Sequence, residues 1–185
     1  MARYAKINKG FTLVELLVGL VVGLIVLSAV LYSFLTTARS SVYLRQTSEL
    51  ISETDALTSV MTGEFRRVGY SDSNIATSLD TSVTHCVLYR YDKPDASEGD
   101  VFGFRLKSGA VQTIASSTAS CSVSDWENIT PPNVSVASLS ISSSPSDSAE
   151  VRSVQIYLST EHVQDSDISV DLTKTVLLRN DVSQD

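Results

Sequence analysis

The amino-acid sequence predicts an α+β protein with one long N-terminal helix, first a membrane anchor and then amphipathic, packed on an antiparallel β-sheet head. Three observations predict it. An almost uncharged run begins at Phe11; an apolar stripe at helical spacing continues it with no Pro to break it; and beyond Tyr70 the periodicity switches from helical to alternating. With the first third of the 185 residues in a helix, about 115 remain, enough for one small domain.

The run FTLVELLVGLVVGLIVLSAVLYSFL, Phe11 to Leu35, holds a single charged side chain, Glu15, and the next charge is Arg39. As a helix its length is about 37 Å, enough to cross a bilayer core of about 30 Å with some tilt. Arg3, Lys6 and Lys9 precede it, so the positive-inside rule puts the N-terminus in the cytoplasm and the head outside. A secretory signal has an apolar core of about 7 to 15 residues, and this run is about twice that. An uncleaved single-pass anchor fits the run but does not explain Glu15. A carboxylate in a spanning helix costs about 2.5 to 3.5 kcal/mol on insertion scales. Glu15 either snorkels to the boundary, about one turn away, or has a partner from outside the run.

The segment GFTLVELLVGL, Gly10 to Leu20, resembles the N-terminal signature of type IV prepilins and of the pseudopilins of type II secretion. It combines a short basic leader ending in Gly, a Phe after it, and a Glu at the fifth position counted from that Phe. The resemblance implies that a prepilin peptidase cuts between Gly10 and Phe11 and N-methylates the new Phe11 amine, while the apolar helix is kept. It also implies the partner of Glu15, which is the terminal amine of a neighbouring subunit. Pairing two buried charges specifies geometry more than it adds stability, and stranding one of them is costly. Gly19 and Gly23 form a small-xxx-small pair that lets helices approach, or are incidental. The four prolines, Pro94, Pro131, Pro132 and Pro145, all lie outside this helix.

After Leu35 polarity rises without a breaker, and Tyr43, Leu50, Leu57, Met61, Phe65 and Val68 mark a buried stripe. Gly69 is the expected stop, with Arg66 and Arg67 suited to the negative end of the helix dipole. A coiled coil would need a cleaner charge pattern beside the stripe, so packing under a sheet is expected. The expected organisation is a leader over 1–10, a transmembrane and filament-core helix over 11–35, its amphipathic continuation over 36–69, and a periplasmic or extracellular head over 70–185.

In the head, Phe102, Phe104 and Leu106 alternate on one face, as do Val154, Ile156 and Leu158. A third alternation, Ile168, Val170, Leu172, Val176 and Leu178, misses only at Lys174. His85 to Tyr91 reads as a strand, separated from that of 101–107 by a loop holding Pro94 and Gly99. Val134 to Ile141 changes phase between Val136 and Leu139, which suggests a bulge. The Ser142 to Ser148 run, SSSPSDS, reads as a mobile loop. FRRVGY, Phe65 to Tyr70, and KTVLLRN, Lys174 to Asn180, resemble the helix end and last strand of PilW-like minor pilins and the related J-type pseudopilins.

Cys86 and Cys121 are the two cysteines, without metal-type spacing. Paired, they close a loop of about 36 residues, worth roughly 3 to 4 kcal/mol in an oxidising compartment; the alternative is two free thiols. His85 and His162 lie in no recognised nucleophile or metal motif and no Gly-rich phosphate loop is present, which argues against an enzyme, a metal centre or a cofactor. Asp165, Asp167 and Asp171 lack EF-hand spacing and read as solvated acids, although some pseudopilins bind calcium. Asn128 and Asn133 match the glycosylation pattern, which carries little meaning in a bacterial chain. Trp126 reads as core. The net charge is -7, and loss of the first ten residues takes it to -10, which disfavours nucleic acid as a partner.

The resemblance as a whole implies a minor pilin. It would be processed by prepilin peptidase, held in the inner membrane, passed to the assembly platform, and built into a pilus beside other minor and major pilins, in the initiation or tip complex. A J-type pseudopilin of a type II secretion system is the nearest alternative. A membrane-anchored binding or adhesive module that never polymerises is the alternative of another class.

Overall fold

In the computed structural model the described residues are 10–71, 78–92, 101–144 and 152–180, with 183–184 described as backbone. The leader up to residue 9, the loop with Pro94 and Gly99, and the Ser142 to Ser148 run from Pro145 onward lie outside them. Helix α1 runs from Leu13 to Phe65. The chain divides into two compact units, Met1–Arg45 and Gln46–Asp185.

Within the first unit the helix is apolar on every side as far as Leu35, and none of the unit's described side chains is buried. A helix of that kind belongs in lipid or inside a bundle of other helices, because water solvates it poorly. Several of its hydroxyls, those of Ser28, Thr36, Thr37 and Ser41, are already satisfied by the backbone one turn back. Ser28 Oγ donates to Leu24 O at 2.7 Å and Thr36 Oγ1 to Tyr32 O at 2.9 Å, so they add little cost to an apolar surrounding. Tyr43, expected on the buried stripe, falls in this unit and is 51% exposed.

In the second unit Leu50, Leu57, Met61, Phe65 and, just past the helix, Val68 are buried as their spacing predicts. Three threonines share the buried face at intervals of one turn, Thr54, Thr58 and Thr62. Thr54 Oγ1 donates to Leu50 O and shares a 2.7 Å bond with Thr160 Oγ1 on the facing sheet, which satisfies two buried hydroxyls at once. The helix ends at Phe65, so Arg66 and Arg67 fall in the turn after it instead of its last turn. Gly69 takes φ 85°, a left-handed conformation that favours glycine, and the chain leaves the helix there. Asn180 Nδ2 donates to Val68 O at 3.2 Å and ties the C-terminal segment to this corner.

The head has two sheets where the sequence suggested one. The strands are β1 (Ser78–Asp80), β2 (Cys86–Tyr89), β3 (Val101–Lys107), β4 (Ala110–Ser116), β5 (Glu127–Asn128), β6 (Val134–Ser144), β7 (Ser153–His162), β8 (Asp165–Leu177) and β9 (Ser183–Gln184). One sheet has the order β5-β4-β3-β2-β1-β9 and the other β6-β7-β8. All neighbours are antiparallel except β1 and β9, so β8 is not the last strand. The phase change in β6 is a register shift between Val136 and Ser138. Lys174, the miss in the β8 alternation, reaches Asp55 on α1 at 3.5 Å. Ser108 and Gly109, at φ 53° and 74°, make a two-residue turn between β3 and β4 of the kind that matches strand twist. Gly109 O accepts Val136 N–H at 2.8 Å, and His85 Nδ1 bonds Leu139 O at 2.7 Å, so both contacts join one sheet to the other.

The core is aromatic where α1 meets the larger sheet. Phe65 lies edge-on to Tyr89 and Phe104, with ring centroids 5.5 and 5.9 Å apart. Tyr91 stacks on Phe102 at 4.9 Å. The Tyr91 hydroxyl donates to Glu64 Oε2 at 2.8 Å, while Glu64 Oε1 pairs with Arg67 at 3.1 Å. Burial first, then the bond to Glu64, pushes Tyr91 up to about 12, and burial pushes Tyr89 well above its usual range. Both phenols are raised in the folded state, so the stability they contribute is complete below the unfolded value near pH 10; the Tyr91 contribution is lost as pH rises through about 12, and that of Tyr89 is likewise lost as pH rises. In a spectrophotometric alkaline titration of the full chain in detergent, these two of the seven tyrosines are expected to ionise last, together with loss of near-ultraviolet dichroism. Ionisation of all seven as one group near pH 10 would contradict the packing.

Candidate functional site: the start of the long helix

Gly10 and Phe11 precede the helix, and both are exposed, Phe11 to 79%. Thr12 begins it: its carbonyl accepts Leu16 N–H at 3.2 Å, and its hydroxyl accepts Glu15 N–H at 3.3 Å. Thr-x-x-Glu is the spacing of a capping box, in which the first residue's oxygen satisfies a free amide of the first turn. Glu15 is the acid of that turn, where the helix dipole favours a negative charge. This second role for Glu15 was legible from Thr12 and Glu15 alone. An added Cβ at Gly10, Gly19 or Gly23 would meet nothing within 4 Å, so the chain's own packing asks for none of these glycines.

The cysteines sit on the outer face of the larger sheet. Cys86 and Cys121 form a disulfide, with Cα atoms 6.1 Å apart at a sequence separation of 35. It pins the 117–126 segment over the sheet, where Trp126 packs with Cys86 and Ile114. Gly103 makes room for this layer: an added Cβ would come within 2.7 Å of Val87 O and 3.0 Å of the Trp126 ring. Strand β3 is therefore buried on both faces and shows no alternation over its first five residues. Arg105 is part of the same layer. Its Nε donates to Gln112 Oε1 at 2.8 Å, its Nη1 to Cys121 O and Val123 O at 2.9 and 3.0 Å, and its guanidinium lies 4.6 Å from the Trp126 ring centre. Sequence reading passed over Arg105; the signal available was a strand arginine between two cysteines. Replacing both cysteines with serine is expected to lower head stability by roughly 3 to 4 kcal/mol, measured by denaturant unfolding of the full chain in detergent. A loss under about 1 kcal/mol would mean that Arg105 and Trp126 hold the loop unaided.

His85 contacts Leu139 O, and His162 is buried and accepts Gln164 N–H at 3.2 Å. Asp165 accepts Asp167 N–H, and Asp171 accepts the Tyr157 hydroxyl. Asn128 accepts Thr130 N–H, and Asn133 donates to Glu49. Among the described residues no group of three His, Cys, Asp or Glu side chains is placed to hold a metal.

A family model described as prepilin peptidase-dependent protein B matches residues 43–178. The chain belongs to the prepilin peptidase-dependent protein B family. A second model, the prokaryotic N-terminal methylation motif, matches residues 6–31 of this family member and spans Gly10, Phe11 and Glu15. Among solved structures, the type IV-like pilin TTHA1219 from Thermus thermophilus is similar with a TM-score of 0.50 and 14% identity, over 71% of this chain and 95% of that one. At that identity the likeness is one of fold. No curated protein matches the chain. The methylation motif, the family and the fold agree: this member of the prepilin peptidase-dependent protein B family is a type IV pilin-like protein, and its N-terminal apolar helix fits a membrane-anchored pilin.

Proposed function

We propose that the protein is a minor pilin of a bacterial type IV pilus. The observation that carries the proposal is the N-terminal segment. A methylation motif over residues 6–31 lies across an exposed Gly10–Phe11 bond and opens a helix that is apolar on every side with one carboxylate in its first turn. Prepilin peptidase cuts after Gly10 and methylates the Phe11 amine. Gly10 needs no room inside this chain, which fits a small residue demanded by the peptidase.

Before assembly the chain spans the inner membrane once, with its N-terminus in the cytoplasm and its head in the periplasm. The helix then leaves the bilayer for a filament, where equivalent helices of minor and major pilins replace lipid around its apolar surface. Glu15 meets the terminal amine of a neighbour there, and that pair sets axial register. Fold and family support a structural role and not an enzymatic one, and a place in the initiation or tip complex is part of the proposal.

The test is mass spectrometry of the polypeptide isolated from its native cells. An N-methyl-Phe11 terminus is expected. A chain that still begins at Met1 or Ala2 would sink the filament reading and leave a tethered module. Partner subunits that co-purify with the mature chain then distinguish a pilus from a secretion machine.

A further inference from the structure

The outer face of the larger sheet buries a cation that no acid among the described residues neutralises. Arg105 is only 6% exposed, and its three hydrogen-bond acceptors, the Gln112 side chain and the Cys121 and Val123 carbonyls, are all neutral. No carboxylate among the described residues pairs with it, and burial alone holds its pKa below the usual guanidinium range. Those bonds use Nε and both hydrogens of Nη1, which leaves the two N–H groups of Nη2 for something else.

Arg105 also lines an open pocket of about 260 Å³, together with Lys107, His85, Thr84 and Ser122. Lys107 lies two residues along β3 and so shares the face of Arg105. His85 stands across from them, where its carbonyl accepts Leu106 N–H at 2.8 Å. Both cysteines of the disulfide line the pocket too, so its walls are covalently fixed. The result is a positive hollow in a chain of net charge -7.

We propose that this pocket binds a small oxyanion, of carboxylate or phosphate type, between Arg105 Nη2 and the Lys107 ammonium. The Thr84 and Ser122 hydroxyls supply neutral donors from the same wall. An oxyanion there gives the buried guanidinium a charged partner that none of the described residues provides, in a geometry already set by the Trp126 ring and the disulfide.

The test uses the full chain in detergent, titrated with inorganic phosphate and separately with acetate, against sodium chloride at matched ionic strength. Amide chemical shifts are read at 84–86, 105–107 and 121–122. Saturable shifts confined to these segments are expected with an oxyanion and not with chloride, and the exposed Lys107→Ala variant should weaken them about tenfold while leaving amides elsewhere unchanged. Tighter saturation by phosphate assigns a free anion, and tighter saturation by acetate assigns a carboxylate, such as an acidic side chain of a neighbouring polypeptide. Shifts that do not saturate, that chloride reproduces, or that Lys107→Ala leaves at the same affinity would overturn the site.

Discussion

The Glu15→Ala variant is expected to reach the membrane and to fold its head, yet to enter filaments at least about tenfold less than the unaltered chain. The estimate rests on the cost of stranding one member of a buried ion pair, about 3 to 5 kcal/mol. The helix start survives the substitution, because Thr12 Oγ1 bonds the amide of residue 15 and not its side chain. Loss of assembly would therefore report the missing carboxylate and not a frayed helix. Glu15→Gln sharpens the test: an amide still fits the capping-box position but carries no charge, so it should assemble as poorly as alanine. The measurement is the ratio of protein in sheared filaments to protein in membranes. Equal ratios for all three chains would end the pairing role, and rescue by glutamine alone would assign Glu15 to capping.

The second large effect is Phe65→Ala. Phe65 is fully buried and is the last residue of the helix, with Tyr89 and Phe104 edge-on to it. Truncation removes the transfer energy of a phenyl ring and opens a cavity under the sheet, together about 3 to 5 kcal/mol. The two edge-to-face contacts add to that total in the same direction. Denaturant unfolding followed by near-ultraviolet dichroism should show a lower midpoint with an unchanged slope. A loss below about 1 kcal/mol would mean that the aromatic cluster closes without its helical member.

What could be read from the sequence follows from which signals are local. The long helix, its glycine stop and three of the longer strands announce themselves by periodicity, because one face of each is apolar. The bulge in β6 showed itself as a phase change for the same reason. Strand β4 was hidden because its alternation is weak, and β1, β5 and β9 are each three residues or fewer. Thr54, Thr160 and His162 are polar residues in buried positions, which their partners explain and pattern cannot. The division into two sheets was not legible, since nothing local marks which strand pairs with which. The outer layer was missed because sequence alternation assigned one face of β3 to solvent, whereas Trp126 covers it over Gly103 and Arg105.

The two hydrogen bonds that open the helix both end on Thr12, so a chain shortened to begin at Phe11 keeps them. If the chain is cut after Gly10 as proposed, trimming and coiling are uncoupled: the helix can be wound before the scissors arrive, and both bonds that open it outlast them.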